Sequence, residues 1–249
     1  MKKLLSLLLL PFVLFAKTDQ EQPFVVGMTS GYAPFVSLNE KGSYEGFDID
    51  IATELANKLN RPLVLKDFGS MPGLMLALKQ GKADALIWAI SITDQRKQSM
   101  EMIHYQGEKV EEIAIVFWKE IPKGIASFSD LGKKTVSVEA GSYQESVLAK
   151  YPEIELKNLT QISDAILALK YGKTNACSID DSLFPTLKRQ YPELQKLNVP
   201  LAPDDISQGN GICVSRSNTA LAAQVRKAVE ELKADGTIAK LEKKWGLIL

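Results

Sequence analysis

The chain is 249 residues with 45% hydrophobic and 24% charged residues, a globular composition long enough for one large domain or two lobes with their own cores. Thirty basic residues balance thirty acidic ones, so the basic excess of a general nucleic-acid binder is missing. A single histidine, His104, and two cysteines, Cys177 and Cys213, argue against a His/Cys metal site or a histidine-based triad; neither metal nor cofactor is expected.

Residues 1–16 read as a cleavable secretory signal. Lys2 and Lys3 form the charged start, Leu4–Phe15 is an apolar run broken by Ser6 and Pro11, and Ala16 offers a small residue for cleavage, although Leu14 is bulky for its position. The run is too short to span a bilayer, and no later stretch is long and apolar enough to do so. An uncleaved anchor is the alternative. No cysteine lies near the cut for lipid attachment. The mature chain is therefore expected to be exported and soluble.

Phe24–Met28 reads as a strand, and Asp48 is placed to cap a helix over Ile49–Leu59 with Ile51, Ala52, Leu55, Ala56 and Leu59 on one face. Leu76–Trp88 (LALKQGKADALIW) returns 91 residues later as Leu167–Ile179 (LALKYGKTNACSI), with seven of thirteen positions identical. Each copy spells an apolar helix, a terminating glycine and a short buried strand. Before the second copy, Thr135–Val138 reads as a strand, and Ser142 with Glu145 has capping-box spacing. Two α/β lobes, each opening with strand, loop and helix, account for this pattern. Cys177 and Cys213 sit in separate strand-like runs and read as buried free thiols, with a disulfide as the alternative. Ser217 or Asn218 can cap a helix with Leu221, Ala222, Val225, Ala228, Val229 and Leu232 inward. Gly236 ends it, Thr237 starts a last helix ending near Trp245, and Lys240, Lys243 and Lys244 read as solvated.

Open α/β sheets bind ligands at the carboxyl ends of their strands. Four segments lie there: Gly27–Phe35, Trp88–Arg96, Glu139–Glu145 and Ile179–Asp181. Gly141, Ser142, Tyr143 and Gln144 can present N–H groups and a hydroxyl to a carboxylate, and Arg96 can add a bidentate pair. Asp180 can accept an ammonium or merely cap the following turn. One carboxylate with one ammonium describes a free amino acid.

These residues resemble a known family. Gly46-Phe47-Asp48-Ile49-Asp50, Ala77–Ala85, Ser91-Ile92-Thr93-Asp94-Gln95-Arg96 and Ala234–Trp245 occur in the order found in bacterial extracellular solute-binding proteins of the polar amino-acid type. The resemblance runs from Phe24 to Trp245. It implies a two-lobed α/β periplasmic-binding-protein type II fold, with two crossover strands and a ligand cleft between lobes. Lobe 1 would be 24–108 plus 209–249, and lobe 2 would be 109–208. It also implies a monomeric receptor of an ABC importer that passes its ligand to a membrane permease.

By the resemblance, Arg96 holds the ligand carboxylate, Ser91 contacts the α-group, Ser142 and Tyr143 belong to the donor turn, Asp180 accepts the ammonium and Tyr32 covers the side chain. Several positions depart from the family. Thr29 stands where basic amino-acid binders often carry Asp, Met71 stands where a second aromatic is common, and Trp88-Ala89 replaces a Ser/Gly pair. Trp88 is a new wall or a core residue. Glu139 holds a cationic side chain or is solvated. Met102-Ile103-His104-Tyr105 makes the crossover atypical. A polar or cationic L-amino acid, such as arginine or glutamine, is the expected ligand. The alternatives are a periplasmic dehydratase of the cyclohexadienyl type, with Glu139 or Asp180 as general acid, and a secreted antigen or sensor.

Overall fold

The computed structural model describes residues 22–248, and its main strands form two five-stranded sheets. The first runs β4 (Leu63–Asp67), β1 (Phe24–Met28), β5 (Ala85–Leu86), β12 (Asn210–Ser215), β6 (Met100–Gln106). The second runs β11 (Leu194–Pro200), β7 (Glu112–Trp118), β10 (Ala176–Ile179), β8 (Thr135–Glu139), β9 (Glu155–Leu159). A small hairpin pairs β2 (Ser37–Leu38) with β3 (Tyr44–Glu45). The leader expected at 1–16 lies outside the described residues. Among the described residues, no helix is long and apolar enough to cross a membrane.

Both sheets are mixed in the same way. β1 is parallel to β4 and β5, β8 is parallel to β9 and β10, and the remaining pairings are antiparallel. The internal repeat explains the likeness. Helix α2 (Met71–Lys79) feeds β5 as helix α5 (Ile162–Lys170) feeds β10. Each helix ends in a Schellman turn: Lys82 and Lys173 N–H reach back to Ala77 and Ala168 carbonyls at 2.9 and 2.8 Å. The intervening Gly81 and Gly172 have φ of 68° and 65°, which is why the repeat keeps its glycine.

Two segments, 107–111 and 201–209, carry the chain between the sheets. They are joined where Val110 N–H donates to Ser207 O at 2.9 Å and Ser207 N–H donates back at 3.3 Å. The fold is thus two α/β lobes on a pair of crossovers. One face of the first sheet is covered by α1 (Phe47–Leu59), α7 (Thr219–Ala234) and α8 (Thr237–Lys244), and the other by α2. In the second lobe, α4 (Tyr143–Leu148) covers one face and α5 with α6 (Phe184–Gln190) covers the other. All six apolar positions expected on α7 are buried, and Asn218 caps it by accepting from Leu221 N–H.

Two local expectations are corrected. Asp48 does not cap α1. The helix starts two residues earlier, with Gly46 at the cap position and φ 138°; a Cβ there would lie 2.0 Å from the Phe35 carbonyl oxygen. Asp48 turns inward instead. Lys244 is not simply solvated: it pairs with Asp50 at 2.7 Å, and Trp245 Nε1 donates to the same oxygen, tying the C-terminal helix to α1. Cys177 and Cys213 are buried free thiols in different sheets.

Candidate functional site

The loop after β5 is held from behind. Asp48 accepts from Ala89 N–H at 2.8 Å and from Tyr105 O–H at 2.6 Å, so α1 and β6 together fix Ala89 at φ 44°. Burial pushes the Asp48 carboxyl up to about 7, and the two hydrogen bonds pull the other way. Trp88 and Ser91 flank Ala89 and are placed by the same clamp. Trp88 is 2% exposed in a cluster with Met28, Met71 and Leu74, and its ring lies 4.9 Å from Tyr32. It is therefore both core and wall. Its indole N–H is buried without a partner among the described residues.

Arg96 lies in the four-residue helix α3 (Asp94–Lys97), which Thr93 caps by accepting from Arg96 N–H. Its Nη1 donates to Ser91 O at 2.9 Å and its Nη2 to Gly141 O, in the other lobe, at 3.0 Å. Burial lowers its pKa. A second bond between lobes, unforeseen in the sequence, runs from Gln161 Nε2 to Gly69 O at 2.8 Å. Met71 also crosses: a Cβ added to Gly141 would lie 3.1 Å from its Cγ.

The donor turn of the second lobe is narrower than expected. Gly141 N–H is taken by the Glu145 carboxylate, Ser142 N–H by Glu139 O, and the Ser142 hydroxyl accepts from Glu145 N–H. This leaves the N–H groups of Tyr143 and Gln144, at the start of α4, for a ligand. The Tyr143 hydroxyl donates to the Asp205 carbonyl. Thr29 is buried, next to Ser30, whose N–H and hydroxyl donate to Asp67.

Glu139 and Asp180 stand at the carboxyl ends of the adjacent parallel strands β8 and β10. Asp180 accepts from Ser182 N–H at 2.9 Å and Oγ at 2.6 Å through one oxygen, so it caps the next turn and keeps its second oxygen. Burial raises its pKa against those bonds. Glu139 is 6% exposed, and burial alone pushes it up to about 8, with nothing offsetting it. The Tyr32 phenol is raised by burial, then by Asp180 and Glu139, and is opposed by Arg96, so groups from both lobes converge on it.

A cavity of about 210 Å³ adjoins this cluster, lined by Ser91, Tyr143, Gln144, Asp180 and two residues that carry no signal in the sequence, Gln106 and Asn210. The latter two are bonded to each other at 2.7 Å across β6 and β12. A more open groove of about 710 Å³ lies along the Met71–Gly141 contact and is lined by Arg96 and Ser142 but not by Asp180, so the expected ligand residues are divided between the two cavities, and Tyr32 and Glu139 line neither. The arrangement therefore offers a cation on one lobe, two carboxylates on the other and aromatic faces between them.

Known proteins share this arrangement of lobes. The chain is 32% identical over 92% of its length, and 88% of the relative's, to the probable ABC transporter arginine-binding protein of Chlamydia trachomatis. It is 27% identical to ABC transporter arginine-binding protein 1 of Escherichia coli K12, covering 98% and 99% of the two chains. A crystal structure of a mutant of ArgBP from T. maritima superposes with a TM-score of 0.81 at 28% identity, covering 90% of this chain and 95% of that one. These relatives are named as binding proteins and not as enzymes. Residues 24–248 match one family throughout, and the chain is a member of the bacterial extracellular solute-binding proteins, family 3.

Proposed function

We propose that this chain is the periplasmic receptor of an ABC importer, which closes on a free polar or cationic L-amino acid and hands it to a membrane permease. The reading takes lobe 1 as 24–108 with 209–249 and lobe 2 as 109–208, working as a monomer exported by the leader at 1–16. The observation that carries it is Arg96 reaching from one lobe to the Gly141 carbonyl of the other, while Asp180, at the end of β10 in that second lobe, keeps one carboxylate oxygen unbonded among the described residues. A ligand carboxylate takes the guanidinium together with the N–H groups of Tyr143 and Gln144, and the ammonium takes the free oxygen of Asp180. Contacts to both lobes favour the closed form, so binding drives hinge closure at the 107–111 and 201–209 segments. A zwitterion buried with both charges paired also explains selection against peptides, whose α-groups are blocked. The relatives named for arginine support the ligand class.

Thermal unfolding of the refolded mature chain against the twenty amino acids at millimolar concentration tests this. A ligand at about 100 times its Kd adds about 2.7 kcal/mol and raises the midpoint by several degrees. A shift confined to one chemical class supports the reading. No shift with any of them contradicts it.

A further inference from the structure

Gln161 stands at the N-cap position of α5, in the loop after β9, and its side chain makes no cap bond. It reaches across to the other lobe instead, where Nε2 donates to Gly69 O at 2.8 Å. Among the described residues, no other donor reaches that carbonyl. The surface that receives Gln161 is made of two turns of the first lobe. Asp67, at the end of β4, accepts from Gly69 N–H at 2.8 Å, from Ser30 N–H at 3.1 Å and from Ser30 Oγ at 3.0 Å. It thereby staples the loop after β1 to the loop after β4. Gln161 Oε1 lies over the first of these loops: a Cβ added to Gly31, which has φ 88°, would stand 3.7 Å from it. Gln161 lines neither of the two cavities.

Sheet topology gives this contact its leverage. β4 and β9 are edge strands, and in each sheet the crossovers leave from the opposite side, from β6 and β12 in the first and from β7 and β11 in the second. The Gln161–Gly69 bond therefore joins the rims farthest from the hinge segments, where opening separates the lobes most. Gly141, which Arg96 holds, follows β8 and lies one strand nearer the crossovers.

We propose that Gln161 is the latch of the cleft, a positioning residue that holds the lobes together without touching the ligand, so that it strengthens binding of every amino acid by one common factor and slows release. The proposal rests on the amino-acid reading above and adds how the bound ligand is retained. A bond made only in the closed form raises the closed fraction, and affinity scales with that fraction whatever the ligand. The ligand enters while the lobes are apart and leaves only after the bond breaks, so the latch acts on dissociation and not on association.

The test is calorimetric and stopped-flow titration of the refolded chain, of Gln161→Ser and of Gln161→Glu with L-arginine, L-lysine and L-glutamine. Serine is a good helix cap and too short to reach Gly69, so it drives affinity and stability apart. Gln161→Ser is expected to weaken each ligand that the wild type binds by about threefold to tenfold, with one factor common to all. Its dissociation rate should rise, its association rate should stay the same, and its ligand-free unfolding midpoint should equal or exceed that of the wild type. Gln161→Glu has nearly the same shape but sets a carboxylate against the Gly69 carbonyl, and should lose at least as much. A loss confined to one of several ligands would make Gln161 a ligand contact, and a lower midpoint or slower association in Gln161→Ser would make its role structural. Either result would overturn the latch and leave the receptor function standing, as would affinities within about twofold of wild type in both variants. A wild type that binds none of the three amino acids would overturn the reading on which the latch rests.

Discussion

Arg96 Nη2 donates to the Gly141 carbonyl at 3.0 Å while Nη1 holds the Ser91 carbonyl at 2.9 Å, so one planar guanidinium touches both lobes. Only a fork can make both bonds and still face a carboxylate edge-on. Arg96→Lys keeps the charge and loses the fork. It should weaken amino-acid binding by about tenfold to 100-fold, read as Kd by calorimetry. An affinity within about threefold of wild type would show that charge alone suffices.

Asp48 and Glu139 give the ligand-free protein an unusual pH dependence. Both carboxyls have raised pKa values in the fold, near 7 and 8, so the native state keeps protons that the unfolded chain sheds above about pH 4. Their contribution is therefore most favourable in acid and is lost as pH rises, by up to about 1.4 kcal/mol per unit for each group. Above each folded pKa it levels off. Asp48→Asn should flatten the wild-type slope between about pH 4 and 7, and Glu139→Gln up to about pH 8, in urea midpoints measured across that range. Variants whose stability tracks the wild type in parallel would contradict this.

Much of the fold is legible in the residues because its rules are local. The repeated glycine reports a helix end wherever it appears, Ser142 and Asn218 cap by spacing alone, and the inward face of α7 follows from its period. Asp48 misleads because an acid at a helix start looks the same whether it caps or turns inward. What decides is Tyr105, 57 residues away, and the closeness of Gly46 to Phe35. The same limit applies to the cleft. Arg96, Asp180 and Glu139 could be selected by their place after strands, but Gln161 meeting Gly69 across 92 residues, and Gln106 meeting Asn210 across 104, have no local signature.

The crossovers leave room for glycine at one point. Gly209 has φ 79°, and a Cβ there would lie 2.7 Å from the Gly107 carbonyl oxygen and 2.8 Å from both the Gln106 carbonyl and His104 Nε2. Gly209→Ala should cost about 1–3 kcal/mol from strain, with displacement of the paired crossover added to it. Gly172→Ala is the control, since that position has φ 65° but nothing within 4 Å. Thermal midpoints should fall further for Gly209→Ala than for Gly172→Ala; equal losses would show that the crossover tolerates a side chain.

Cys177 and Cys213 are both fully buried, with thiols pushed up to about 12 chiefly by that burial. A thiol reagent such as Ellman's should find neither in the native protein and both in denaturant without reductant. Absence of free thiol after denaturation would indicate a disulfide.

The central claim is that the cleft recognises both charges of a free amino acid, and Asp180→Asn tests it most directly. The amide oxygen keeps the acceptor for Ser182 N–H and Oγ, so the turn survives while the counter-charge to the ammonium is lost. Calorimetric titration with L-arginine should show binding weakened by about 100-fold or more, with the unfolding midpoint of the ligand-free protein unchanged. Binding within about threefold of wild type would place the ammonium elsewhere and contradict the account.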